Sequence, residues 1–148
     1  MIHDLYQEVI LDHGKNPRNF YKMTTFTNYA KGYNPFCGDQ IEIFLQVRAE
    51  LVEKISFQGN GCIICLASAS LLTESVCNRT TYGCDELIVL VQNMLVKRQL
   101  DENKLGKLVS LKNIIKFPAR VKCATLAWHA LDNALKHIHK IVTTEKNE

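Results

Sequence analysis

Phe57-Gln58-Gly59-Asn60-Gly61-Cys62 runs straight into Ile63-Ile64-Cys65-Leu66-Ala67-Ser68-Ala69-Ser70-Leu71-Leu72-Thr73. An alternating segment, Val52 to Phe57, reads as a strand and stops at a Gly-Asn-Gly turn. A run of small and apolar residues with helical spacing begins at once. The turn therefore sets Cys62 at the mouth of a helix, where free backbone N–H groups and the positive end of the macrodipole favour a thiolate over a thiol. Cys62 is thus prepared to bind a metal or to carry sulfur.

Toward the N-terminus, Gln40 to Arg48 places Ile41, Ile43, Leu45 and Val47 on one face and pairs with Val52 to Phe57 as an antiparallel hairpin. A short strand around Thr25 to Lys31 completes a meander, and Gly32 to Asp39 is a loop by composition. The fold class is α+β: a small three-stranded antiparallel sheet whose apolar face is packed against helices. The first helix runs from an Asp4 N-cap to His13 with Leu5, Val9 and Ile10 at helical spacing, and ends at Gly14. Asn16-Pro17-Arg18-Asn19 is a turn.

Toward the C-terminus, the helix from Cys62 to Val76 is followed by one over Asp85 to Gln99 with Leu87, Leu90, Val91, Met94 and Leu95 on one side. Leu105 to Ile115 reads as a shorter helix. Phe117-Pro118-Ala119-Arg120 opens the last helix, with Pro118 suited to its first turn, and Ala127, Leu131, Ala134, Ile138 and Ile141 form its core-facing stripe. The polar stretch Thr143 to Glu148 is expected to fray.

At 148 residues, 47% of them apolar, the chain suits one packed core, so residues 1–148 are expected to form a single domain. The formal charge is +3, with Lys and Arg scattered among Asp and Glu. No basic run and no interleaved aromatic stripe points to nucleic acid. The N-terminus lacks the pattern of an export signal, and no apolar stretch approaches the length of a membrane span, so a cytoplasmic protein with no membrane partner is expected. Six cysteines in a reducing compartment point to metal binding or thiol chemistry and away from a disulfide framework.

Thiolates at Cys37, Cys62 and Cys123 with the carboxylate of Asp39 make four anionic ligands, a set suited to tetrahedral zinc. Gly38 lets the loop bend so that Cys37 and Asp39 point at one ion, and two helix starts supply the others. Such a site carries a formal charge of about −2. Arg120 and Lys122, which flank Cys123, are candidates to offset it or to contact a partner. Each cysteine also has a plainer reading: an exposed loop thiol for Cys37, a small hydrophobe at a helix start for Cys62, packing for Cys123. Cys62 and Cys65 form a Cys-x-x-Cys, readable as a redox pair or half a zinc ribbon. A ribbon wants a second pair, and the chain lacks the βαβ pattern expected around the redox motif. Cys65, one turn beyond Cys62, either packs or faces the same pocket. Cys77 and Cys84 have no partner at ligand spacing and are read as structural. His3, His13, His129, His137 and His139 are dispersed and are expected on a solvated face.

These residues fall into ordered motifs: Leu5-Tyr6 to Asp12-His13 with Asn16-Pro17-Arg18-Asn19, then Asn34-Pro35-Phe36-Cys37-Gly38-Asp39, Gly59-Asn60-Gly61-Cys62, Ala67-Ser68-Ala69-Ser70, and Phe117-Pro118-Ala119-Arg120-Val121-Lys122-Cys123-Ala124-Thr125-Leu126-Ala127-Trp128. Together they resemble the SufU-type branch of the IscU-like family of iron–sulfur assembly factors, over nearly everything from Leu5 to Leu135. IscU-like scaffolds carry a His directly before the third cysteine, where Lys122 stands here. The segment Tyr82 to Leu105 fits the extra residues that the SufU-type branch carries between the second and third cysteines. One departure is Cys65, where that branch usually has Ser.

The resemblance implies a small antiparallel sheet packed by helices, a zinc held by Cys37, Asp39, Cys62 and Cys123, and acceptance of persulfide sulfur from a SufS-type cysteine desulfurase, with Cys37 the catalytic residue that receives it. Downstream iron–sulfur assembly proteins are the implied further partners. On this reading the chain is a zinc-containing sulfurtransferase. A scaffold carrying a transient [2Fe–2S] iron–sulfur cluster on the same ligands is the second reading, and a structural zinc domain the third.

Overall fold

A computed structural model describes residues 2–144, with side chains from Tyr6 onward. Its elements run α1 (Ile2–Lys15), β1 (Asn28–Asn34), β2 (Asp39–Arg48), β3 (Leu51–Asn60), α2 (Ile63–Val76), α3 (Thr81–Leu95), α4 (Glu102–Leu105), a 3-10 stretch (Gly106–Lys116), α5 (Pro118–Leu135) and β4 (Val142–Thr143). The sheet has four strands in the order β3-β2-β1-β4, mixed rather than purely antiparallel, because β4 joins β1 in parallel. That corrects the three-stranded antiparallel expectation. A two-residue strand leaves no periodicity to read, and it forms only because β1 offers it an open edge.

The hairpin of β2 and β3 is registered from Gln40 opposite Asn60 to Arg48 opposite Leu51, with an irregularity between Gln46 and Val47. Ile41, Ile43 and Leu45 are fully buried as their alternation requires. Strand β1 begins later than expected and continues through Gly32 to Asn34. A Cβ at Gly32 would lie 2.9 Å from Leu126 Cδ1. This glycine therefore marks the close approach of α5 to the strand and not the start of a loop.

Helix α2 is apolar or small on most sides, Glu74 apart, and most of it is buried. It packs against β3, α1 and α5, while α5 lies across β1 and β2. Its serines make these contacts polar as well as close. Ser68 Oγ donates to Ala124 O at 2.6 Å and accepts from Trp128 Nε1 at 3.1 Å, while Ser70 Oγ lies 2.7 Å from His13 Nδ1 and accepts from Arg18 N–H at 2.8 Å. His13 is thus 1% exposed and ties α1 to α2, contrary to the solvated face expected for it. A histidine pattern in sequence does not reveal that a buried serine waits opposite. His129 is part-buried, within 3.4 Å of Gln92 Nε2; the side chain of His3 lies outside the described residues.

Three other boundaries moved. Helix α1 begins at Ile2, before the expected Asp4 cap. Helix α3 starts at Thr81, because Thr80 caps it by accepting from Gly83 N–H at 3.0 Å. Helix α5 ends at Leu135, where His137 adopts φ of 55° and Ile138 N–H donates back to Asn133 O at 2.9 Å. Ile138 and Ile141 consequently leave the core stripe and are exposed, whereas Ala127, Leu131 and Ala134 are fully buried. Of the expected frayed tail, Thr143 lies in β4 and Thr144 is buried, and residues 145–148 lie outside the described residues.

Candidate metal centre

Cys37 is carried by the four-residue turn between β1 and β2. Strand register places Asn34 opposite Asp39, and Gly38 N–H closes the turn on Asn34 O at 2.8 Å. Gly38 has φ of +73° with open space where a Cβ would be, so glycine serves here to reach the left-handed region. Asp39 is the first residue of β2 and is fully buried.

The end of β3, beside the start of β2, delivers Cys62 to the same end of the sheet. Since Gln40 pairs with Asn60, the chain leaving β3 passes directly over Asp39. Gly61 is required there, for a Cβ would stand 2.6 Å from Asp39 Oδ1. Cys62 takes the N-cap position of α2, and its own N–H donates to Asp39 Oδ1 at 2.9 Å. A buried carboxylate at a helix N-terminus is favourably placed against the helix dipole.

Cys123 completes the group from the second turn of α5. Its Sγ lies 3.4 Å from Cys37 Sγ, and ligand atoms of Cys37, Asp39 and Cys123 all fall within 4.8 Å of one another. Around a tetrahedral ion with metal–sulfur bonds of about 2.3 Å, ligand atoms stand roughly 3.8 Å apart. The donor set suits a zinc ion, and its spacing approaches that of a tetrahedral site. Cys62 is not one of that trio, and its thiol neighbours that of Cys123. The neighbouring Cys123 side chain first, then the Cys65 and Ile64 backbone N–H groups, draw Cys62 below the ordinary thiol range against the opposing effect of burial. The Cys62 side chain first, then burial, push Cys123 up.

Arg120 is exposed beside the sulfurs, and its hydrogen bond to Cys123, with the neighbouring thiolates, raises its basicity further. Lys122 lines the groove between α3 and α5. Cys65 is fully buried in the hydrophobic core, and burial, followed by the charges of Asp39, Cys62 and Cys37, pushes its thiol up. It is therefore held as a neutral thiol. Cys84 is buried too and is pushed up to about 11 by burial, while half-buried Cys77 donates weakly to Glu53 O at 3.8 Å.

One residue of the site went unassigned in the sequence reading. Asn34 is fully buried, and its Nδ2 stands 3.5 Å from Asp39 Oδ2 and 3.7 Å from Cys123 Sγ, while its Oδ1 accepts from Phe36 N–H at 3.2 Å. It links the turn that carries Cys37 to the helix that carries Cys123. The signal available was an Asn before Pro at the head of the Cys-Gly-Asp segment, which marks a turn but not what the amide faces.

Comparison with known proteins follows the same lines. The family model described as the NifU-like N-terminal domain matches residues 5–145. The chain is 36% identical over 132 residues to the zinc-dependent sulfurtransferase SufU of Bacillus subtilis, covering 88% of this chain and 89% of that one. It is also 36% identical over 136 residues to the iron–sulfur cluster assembly scaffold protein IscU of Thermotoga maritima, covering 92% and 96%. A SufU crystal structure from Fervidobacterium islandicum superposes with a TM-score of 0.84 at 29% identity, over 90% of this chain and 98% of that one. No helix among the described residues is long and apolar enough to cross a membrane.

Proposed function

Because this chain belongs to the NifU-like N-terminal domain family, we propose that it is a zinc-dependent sulfurtransferase that accepts persulfide sulfur from a SufS-type cysteine desulfurase for iron–sulfur cluster assembly. It acts as one domain over residues 1–148, in the cytoplasm, and hands sulfur to downstream assembly proteins. The observation that carries this reading is the convergence of Cys37, Asp39 and Cys123 within 4.8 Å, with one of the three on a turn.

Cys37, Asp39, Cys62 and Cys123 are the proposed zinc ligands. When bound, the ion keeps its sulfur ligands ionised at neutral pH. Cys37 is the proposed sulfur acceptor. Among the three ligand thiols it alone rides on a turn, which moves at lower cost than a helix start. Its thiolate attacks the outer sulfur of the desulfurase persulfide. The sulfur–sulfur bond of that persulfide breaks, the desulfurase cysteine leaves as a thiolate, and Cys37 carries the persulfide. Arg120 offsets the negative charge of the site, and Lys122 is proposed as a partner contact on the neighbouring groove.

Incubation with desulfurase and cysteine, followed by mass mapping of trapped persulfides, is expected to place the added sulfur on Cys37 first. Cys37→Ser is expected to abolish stimulation of the desulfurase. Persulfide mainly on Cys123, with Cys37→Ser still stimulating, overturns the assignment. The scaffold reading is kept in view by the likeness to the Thermotoga maritima IscU. It predicts instead a visible charge-transfer spectrum after anaerobic reconstitution with iron and sulfide.

A further inference from the structure

Helix α3 turns Leu87, Val91, Met94 and Leu95 into the core. Its other face is unusually apolar for a surface. Tyr82 is 72% exposed, Val89 53% and Val96, the C-cap residue, 64%. A spacing of seven residues is nearly two helical turns, so the three side chains stand in one row. They form a ridge, and an open groove runs on each side of Val89. One, of about 590 Å³, is bounded by Asp85, Glu86 and Lys104. The other, of about 740 Å³, is bounded by Gln92, Val96 and Arg98 on this side and by α5 on the far side. A ridge flanked by two grooves is the shape that receives another helix.

The charges along the row say which helix. Asp85 and Glu86 stand in the N-terminal half of α3, and Lys97 and Arg98 stand just beyond its C-terminal end. Read backwards, the pattern is its own complement. An isologous contact needs that property, since each residue must meet its counterpart in reversed order on an identical surface. We propose that the outward face of α3 docks a second copy of this chain, with the two α3 helices antiparallel across a two-fold axis.

In the register that the pattern selects, Val89 of each copy meets Val96 of the other. Gln92 faces Asn93 across the axis, and Glu86 approaches Arg98. A parallel arrangement would stack Glu86 on Glu86 and Arg98 on Arg98, which like-charge repulsion disfavours. One helix face is small beside the area of a standard interface, so the association is weak and follows protein concentration. Cys37, Cys62 and Cys123 line neither groove, whereas Lys122 lines the second. Docking therefore leaves the ligand thiols uncovered but competes with the partner contact proposed for Lys122, and the inference does not depend on the sulfur-transfer reading.

The test is sedimentation equilibrium of the full zinc-loaded chain from micromolar to millimolar concentration. Wild type is expected to pass from monomer to dimer, and Val89→Glu to remain monomeric with zinc content and circular dichroism unchanged. Two charge-reversed forms, D85K/E86K and K97E/R98E, are each expected to dimerise at least tenfold more weakly than wild type. An equimolar mixture of the two restores attraction at both ends and is expected to recover the wild-type association. The mixture keeps the test decisive should Val89→Glu fail to fold. A wild type monomeric throughout, a dimer indifferent to these changes, or a mixture no stronger than its components overturns the proposal.

Discussion

Gly61 occupies the most demanding position of the site. The chain must cross Asp39 so closely that an added Cβ would sit 2.6 Å from its Oδ1, and Asp39 is fully buried with nowhere to retreat. Gly61→Ala should therefore displace the carboxylate, lower stability by about 1–3 kcal/mol as overpacking does, and reduce zinc retention. Unchanged zinc content by elemental analysis, with an unchanged melting temperature, would show that the crossing has slack. Four residues on, Cys65 makes the opposite prediction. It is a neutral buried thiol in the core, so Cys65→Ser should leave zinc content and sulfur transfer close to wild type. Its cost should be confined to stability, since a hydroxyl then needs a partner in an apolar place. Zinc lost in this variant would mean that Cys65, not Cys62, is a ligand.

At the scale of elements, the contact of α1 with α2 rests on His13 and Ser70. Ser70 Oγ accepts from Arg18 N–H and lies 2.7 Å from His13 Nδ1, and His13 Nε2 stands 3.6 Å from Glu74. Burial, then the Arg18 cation, holds His13 below its ordinary value of 6.5, against the opposing pull of Glu74. The unfolded chain then binds a proton that the folded chain refuses. Stability is fully present above the ordinary value and is lost as the pH falls from there toward the depressed one. His13→Asn, which cannot titrate, should flatten the pH dependence of the melting temperature between about pH 5 and pH 7. Some slope should persist, because His129 is also held down by burial. An identical slope in the variant would remove His13 from the account. Ser70→Ala should cost about 1–3 kcal/mol, since it strands two buried polar groups at once.

For the whole molecule, the proposed ligands come from a hairpin turn, the β3–α2 junction and the second turn of α5. Metal binding energy is folding energy when ligands are gathered from distant parts of a chain. Chelation should therefore lower the melting temperature substantially, and Cys37→Ala, Cys62→Ala and Cys123→Ala should each lose zinc and stability together. Chelation should then add little further destabilisation to those variants. Full zinc in Cys123→Ala would sink that ligand, and a wild type indifferent to chelation would reduce the site to a cluster of thiols.

Local chemistry was legible without the fold. Apolar alternation set the β2–β3 hairpin and helical spacing set α2 after Cys62, because each depends on residues a few positions apart, whereas β3 runs on through Gly59 and Asn60, where the sequence suggested a turn, because they pair with Ile41 and Gln40. The candidate ligands could be named by their chemistry, yet whether Cys37 and Cys123, 86 positions apart, meet at 3.4 Å is a question of strand register and helix packing. Tertiary contact alone decided the rest. Strand β4 exists because β1 leaves an edge open, α5 stops where His137 turns into the left-handed region, and His13 is buried because Ser70 lies opposite it. None of these is written in local periodicity, since each depends on a partner that only the folded chain brings near.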